Sequence, residues 1–391
     1  MHQPVILRGA RTPIGSFLGV LADVPAPKLG STAIGAALER SNVKPEEVNE
    51  VIMGCVLTAG IGQAPARQAS LGAGIPNSVP CTTINKVCGS GMKAVMFAAQ
   101  SIMLGDNDVV VAGGMESMSN APFLLEKART GYKMGNGALV DSMIKDGLWD
   151  PYNDFHMGVA AELCADECGV PRESQDEFAI RSYKLANESM DAGYFRHEIA
   201  PVTVQRGKET VTVSEDEGPR KAKYDKIPTL KPAFKKDGTV TAANASSIND
   251  GAAAFVLSSE EHAKAHGYKV SAKIIAYSSH AQAPEQFTTA PIKSIEMVLR
   301  KAKMTLDEID LFEVNEAFAV VGLAAQKQLR IPTDKLNVLG GAIALGHPIG
   351  ASGARILLTL ITALELRNKR YGLASICIGG GEATSIIIER V

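Results

Sequence analysis

The chain has 391 residues, 46% of them hydrophobic and 21% charged, with a formal net charge of -2. That length suits two to three domains with substantial cores, and the near-neutral charge removes a global electrostatic case for nucleic acid or an anionic membrane. An aromatic content of 5% also speaks against a stacking surface for single-stranded nucleic acid.

The opening segment, Met1-His2-Gln3-Pro4-Val5-Ile6-Leu7-Arg8, reads as an apolar strand without the pattern of a secretory signal or a transit peptide. The end, Ile386-Ile387-Ile388-Glu389-Arg390-Val391, carries no prenylation or peroxisomal tail. No apolar run is read as approaching the roughly 18 residues of a spanning helix. A cytoplasmic protein with no membrane partner is expected, with its six cysteines as free thiols. Cys164 and Cys168 stand at i,i+4 on a predicted helix but have no further Cys/His pair nearby. No metal is therefore expected there, and core packing is the preferred reading.

An internal repeat organises the chain. A helical pattern over 33–40 leads to Pro45-Glu46-Glu47-Val48 and the apolar Val51-Ile52-Met53-Gly54. With a shift of 261 it recurs over 294–301, then Leu306-Asp307-Glu308-Ile309 and Leu311-Phe312-Glu313-Val314. Cys88-Gly89-Ser90-Gly91-Met92-Lys93-Ala94 likewise resembles Gly350-Ala351-Ser352-Gly353-Ala354-Arg355-Ile356, each opening an apolar helix that leads to a strand and a Gly pair. Two α/β halves with largely parallel sheets are expected, leaving roughly 120–250 as an insertion. Its 206–236 stretch holds nine Lys/Arg against five acids, a solvated face or a landing site for a phosphorylated ligand.

Cys88 precedes a helix predicted over 92–103. A thiol at a helix start feels unpaired N–H groups and the positive dipole end, which favours thiolate, and the same N–H groups could hold a carbonyl oxygen. The alternative is a small buried cysteine in a Gly-rich turn. The repeat brings the loop carrying His347 to the opposite side of one cleft, where an imidazole could take the thiol proton; a packing histidine is the alternative. Cys377 precedes Gly379-Gly380-Gly381, where bare backbone could approach a ligand. Asn315 falls at the end of a repeat strand, where open α/β sheets place their sites, or else caps the next helix.

Together, Arg11-Thr12-Pro13-Ile14-Gly15-Ser16-Phe17, Asn85-Lys86-Val87-Cys88-Gly89-Ser90-Gly91, Val109 to Ser117, Asn244-Ala245-Ser246, Asn249-Asp250-Gly251-Ala252, Asn315-Glu316-Ala317-Phe318, Gly346-His347-Pro348 and Cys377-Ile378-Gly379-Gly380-Gly381 resemble the thiolase family nearly end to end. The resemblance implies a duplicated five-layer αβαβα fold. Residues 1–119 plus 251–270 would form one half and 271–391 the other, with 120–250 as a loop domain for CoA binding and tetramer contacts. It implies that Cys88 is acylated, His347 activates it, and Cys377 removes an α-proton from a second acetyl-CoA. His347 and a water held by Asn315 would receive the enolate oxygen; the backbone N–H groups of Cys88 and Gly379 would form a second oxyanion hole. Leu148, Met157, Ser246, Phe318 and Arg220 would contact CoA or acyl groups, with Arg220 toward the adenosine phosphate.

His156, before Met157-Gly158, resembles the acetoacetyl-CoA type and would meet the thioester oxygen. Acetyl-CoA, acetoacetyl-CoA and CoA are the implied ligands, without any separate cofactor. Residues 124–140 resemble a hairpin of the tetrameric members, so a homotetramer is expected. A β-oxidation 3-ketoacyl-CoA thiolase is the nearest alternative, and the absence of the family's usual Met-Gly-Thr-Gly within 283–291 could alter substrate range. A non-catalytic CoA- or lipid-binding relative is the other.

Overall fold

The computed structural model describes all 391 residues. In chain order the first half comprises β1 (Pro4–Arg11), α1 (Ala26–Ser41), β2 (Glu50–Gly54), α2 (Pro65–Gly72), β3 (Cys81–Ile84), α3 (Ser90–Leu104) and β4 (Val109–Ser117). The insertion carries α4 (Met157–Cys168) and α5 (Arg172–Asp191) before β5 (Asn249–Ser259) completes the half. The second half follows as β6 (Ala272–Ala281), α6 (Ala290–Ala302), β7 (Leu311–Val314), α7 (Ala319–Leu329), α8 (Ile349–Leu366), β8 (Tyr371–Ile378) and β9 (Glu382–Arg390).

The strands run β7-β8-β9-β6-β1-β5-β4-β2-β3 across one sheet. β1 and β6 join the two half-sheets through only Val5–Lys273 and Ile6–Ala272. Parallel pairing occurs at β2–β3, β2–β4 and β7–β8, whereas β4–β5, β1–β5, β8–β9 and β6–β9 are antiparallel. The expectation of largely parallel sheets is thereby corrected. The β8–β9 connection is only Gly379 to Gly381, with Gly380 and Gly381 at φ 89 and 86, too short for a crossover. In the first half, the equivalent β4–β5 connection holds the whole insertion. A loop that grows there leaves both half-sheets intact and hangs over one end of them.

Period-two burial separates the layers. Val109 and Val111 pack with α1 and α2 residues such as Leu29, Ile34 and Ala69, while Val110 and Ala112 face α3 and α8. On the second sheet, Ala374 and Ile376 meet that same central pair, while Leu373 and Cys377 face α6 and α7. The order is thus α1/α2, sheet, α3/α8, sheet, α6/α7. In α8 every residue from Ile349 to Leu364 is buried. The 18-residue windows Val87–Leu104 and Ile349–Leu366 reach mean hydropathies of 1.3 and 1.5, which corrects the reading that no such run exists. A helix apolar all round is what a layer covered on both sides demands. α3 begins two residues earlier than expected, at Ser90, bringing its start against Cys88.

Candidate active site

The nucleophile loop is a tight turn. Asn85 Oδ1 accepts from Val87 N–H at 2.9 Å, and Ser90 Oγ accepts from Lys86 N–H at 2.8 Å while donating to Val87 O at 2.7 Å. Val87 has φ 44, a left-handed conformation unfavourable for a β-branched residue, and these bonds hold it there. A Cβ on Gly89 would press on the side chain of Ile378, so a larger residue here would have to displace Ile378 for the loop to seat against β8.

The opposite wall is the loop before α8. Gly346, at φ 108, has no room for a side chain beside Asn249. Asn249 Oδ1 accepts from His347 N–H at 2.8 Å, and its amide donates to Gly15 O at 2.9 Å. Ser352 Oγ donates to Pro348 O at 2.9 Å and lies 2.6 Å from His347 Nδ1. With its one proton spent on Pro348, the hydroxyl accepts from Nδ1–H. His347 Nε2, which has no partner in the protein, is then the free lone pair.

Cys88, His347 and Gly379 line one cavity of about 360 Å³, together with Leu148, His156, Met157, Ser246 and Phe318. Its remaining lining is mostly apolar, including Met118, Ile248, Phe287 and Ile349. His156 Nδ1 accepts from Gly158 N–H at 3.0 Å as the cap of α4, so its neutral ring carries the proton on Nε2 and can donate. Phe234 stacks on His156 at 4.8 Å and meets Phe318 edge-on at 6.2 Å. Glu162 of α4 accepts from the N–H groups of Thr239 and Val240, tying the segment that supplies Phe234 and Ala245 to the same helix.

Burial dominates the electrostatics. The Cys88 thiol is pushed up to about 11 by desolvation, with the Gly379 and Cys88 N–H groups pulling the other way and Glu116 adding to the rise. This shift runs opposite to the thiolate expected from the helix start, because burial of the sulfur is its largest cause. Cys377, fully buried, is raised well above the usual thiol range by desolvation and then by Cys88. Burial, followed by the Arg355 charge, lowers His347 to about 3. At rest the site therefore holds two thiols and a neutral imidazole, beneath donors aimed at one sulfur. Such a site can take a thiol proton, carry an acyl group and stabilise an oxyanion.

Three expected residues stand apart from the cavity wall. Cys377 is behind it, packed in the cluster containing Met157, Phe287 and Phe318. Asn315 is buried, its Oδ1 3.5 Å from the Arg355 guanidinium and its amide nitrogen without a protein partner. Arg220 pairs with Asp191 at 2.8 Å on the insertion surface. Lys221, Lys223 and Lys226 instead rim a second cavity of about 250 Å³ that shares Ala242 with the first. No group of three or more metal-binding side chains occurs.

Sequence reasoning missed Ser352, Asn249, Glu116 and Phe234. Glu116, at 0% exposure, accepts from the N–H groups of Val56, Leu57 and Gly350, pinning the start of α8 to the first half. It is raised to about 7, chiefly by burial. Ser352, Asn249 and Glu116 lie in segments already singled out, but their partners are distant in sequence. Phe234 is set among lysines with no periodicity. His262 and His266 also stand one turn apart, which corrects the reading that the sequence holds no His-x-x-x-His spacing; their rings stack at 3.9 Å.

Comparison with known proteins places this geometry in context. The family model for the thiolase N-terminal domain matches residues 4–261, and that for the thiolase C-terminal domain matches 268–390. The chain is 57% identical over 383 residues to acetyl-CoA acetyltransferase 2 of Arabidopsis thaliana, covering 97% of this chain and 95% of that one. It is 50% identical over 388 residues to a cytosolic acetyl-CoA acetyltransferase of Gibberella zeae, covering 99% and 98%. The crystal structure of the Bacillus anthracis acetyl-CoA acetyltransferase superposes with a TM-score of 0.98 at 42% identity, over 100% of this chain and 99% of that one.

Proposed function

The chain belongs to the thiolase family, and on that premise we propose that it is an acetyl-CoA C-acetyltransferase, reversibly joining two acetyl-CoA into acetoacetyl-CoA and CoA. The observation that carries this reading is the single cavity in which Cys88, the free Nε2 side of His347, Gly379 and His156 converge.

Resting protonation constrains the order of events. His347 Nε2 takes the Cys88 proton as the sulfur attacks the thioester carbonyl, whose oxygen is received by the Cys88 and Gly379 N–H groups. Because Cys377 rests as a thiol, it must give its proton to the departing CoA sulfur before it can act as a base. The Cys377 thiolate then removes the α-proton of a second acetyl-CoA. Protonated His347 and a water on the Asn315 amide steady the enolate oxygen, and His156 Nε2–H meets a thioester oxygen. The enolate carbon attacks acetyl-Cys88, and the released Cys88 sulfur recovers its proton from His347. No metal or separate cofactor enters, since the thiols, imidazole and N–H donors account for every proton and charge.

The pantetheine arm would run past Leu148, Met157, Phe318 and Ser246 toward the lysine-rimmed second cavity, with Arg220 near its phosphate end. The stack of His156, Phe234 and Phe318 favours a two-carbon acyl group. Exposed Phe123, Leu125, Met134 and Leu139 on the 123–141 hairpin support a homotetramer, measurable by light scattering. A cytoplasmic location is supported by the naming of the Gibberella zeae relative.

Labelled acetyl-CoA tests the acyl carrier: the label should attach to the protein but not to the Cys88→Ser variant, and labelling of that variant would overturn the assignment. Cys377→Ala should still acylate yet fail to condense. Strong thiolysis of 3-ketoacyl-CoAs beyond six carbons would replace the acetoacetyl reading with a broader thiolase.

A further inference from the structure

Away from the acyl cavity, two thiols touch. Cys164 and Cys168 lie one turn apart on α4, with their Sγ atoms 3.8 Å apart. Their exposure differs: Cys164 is buried, whereas Cys168, the last residue of the helix, is partly open to solvent. α7 supplies the neighbours of the open thiol. The Gln328 amide donates toward Cys168 Sγ at 3.8 Å, and Lys327 Nζ donates to Cys168 O at 2.8 Å. The negative end of the helix and Glu167 oppose a thiolate here. The S–H of Cys164, helped by Gln328 and Lys327 and opposed by burial and Glu167, draws the Cys168 thiol below its usual range. An accessible attacking sulfur is thus backed by a sheltered resolving one.

We propose that Cys168 and Cys164 form a hydroperoxide-reactive dithiol, a modification site separate from the acyl-transfer chemistry. The Cys168 thiolate attacks one peroxide oxygen; an S–O bond forms, the O–O bond breaks, and the departing alkoxide or hydroxide takes a proton from solvent. Cys164 then attacks the sulfenic sulfur. The S–S bond forms, the S–O bond breaks, and hydroxide leaves with the Cys164 proton as water. Two thiols are oxidised and one peroxide is reduced by two electrons.

The helix end is suited to this closure. A disulfide needs Cβ atoms about 3.5–4.5 Å apart, whereas i,i+4 positions on a regular helix hold them about 5–6 Å apart, so the last turn must tighten or open. It ends at Gly169, with φ 57, and the bonds that must give there are those of Gly169 and Val170 N–H to Asp166 O and Ala165 O and that of Lys327 to Cys168 O. A bridge strained in this way belongs to the readily reduced kind, which makes the modification reversible by a dithiol.

Both cysteines lie on the tryptic peptide Asp146–Arg172, which contains no other cysteine. Limiting peroxide on the intact enzyme should make that peptide lighter by two hydrogen atoms and block both thiols to alkylation. This should occur on the order of tenfold faster than oxidation of Cys88, which rests as a protonated thiol. Dithiothreitol should restore both thiols. Cys164→Ser should trap Cys168 as a dimedone-reactive sulfenic acid, and Cys168→Ser should leave Cys164 reduced. The proposal is overturned if the 146–172 thiols stay alkylatable after Cys88 has been oxidised, if no dimedone adduct forms in Cys164→Ser, or if Cys164 oxidises equally well in Cys168→Ser.

Discussion

Ser352 determines which nitrogen of His347 faces the cavity, because its hydroxyl is already committed to Pro348 O. Removing it should cost activity without touching substrate. Ser352→Ala is expected to lower kcat/KM about tenfold, roughly one hydrogen bond's worth of orientation, and Ser352→Thr should recover part of that loss. Equal steady-state constants and pH profiles for Ser352→Ala and wild type would refute this role. The resting charge state makes a second prediction. With Cys88 raised to about 11 and His347 lowered to about 3, only about one Cys88 in ten thousand is thiolate at pH 7. The iodoacetamide reaction of Cys88 should therefore climb nearly tenfold per pH unit between 7 and 10. A plateau near neutrality would mean a thiolate–imidazolium pair instead.

At the scale of elements, α3 and α8 cross where their repeat-related glycines meet. A Cβ on Gly91 would lie 2.9 Å from Ala354 N, and one on Gly353 would lie 2.6 Å from Met92 N. Backbone cannot step aside as a flexible side chain can. In an exposed helix, Gly→Ala gains about 1 kcal/mol; here overpacking should reverse the sign. Gly91→Ala and Gly353→Ala are each expected to lose ~1–3 kcal/mol in urea unfolding, and a gain in either would show that the crossing has slack. The same two glycines aligned in the sequence repeat, so this contact was legible once the duplication was seen. Sheet direction was not. Three glycines between β8 and β9 permit only a hairpin, and the expectation of parallel strands gave that short connection too little weight.

Across the whole molecule, Arg11 ties the insertion to the core. Its guanidinium meets Glu198 at 2.6 Å and Asp216 at 2.7 and 2.9 Å, and all three side chains are buried. Arg11→Ala would leave two carboxylates buried beside a void and should destabilise the fold by ~3–5 kcal/mol. A loss below about 1 kcal/mol in denaturant titration would mean that water reaches the carboxylates and the tie is not structural. Because the insertion carries His156, Met157 and Phe234, a variant that stays folded should also show a raised KM for acetyl-CoA.

Local patterning and the repeat alone determined the two halves, the place of the insertion, and the meeting of Cys88 with His347 across a cleft. Those features follow from period, turn residues and duplicated order, all written along the chain. Tertiary structure alone decided the antiparallel joins, the burial of α8 despite its membrane-spanning length, the retreat of Cys377 and Asn315 behind the cavity wall, and the pairing of Arg220 with Asp191. It also decided the protonation of the reactive thiols. Desolvation depends on every atom packed around a sulfur, most of them distant in sequence, so no motif around Cys88 could reveal that burial pushes its thiol up.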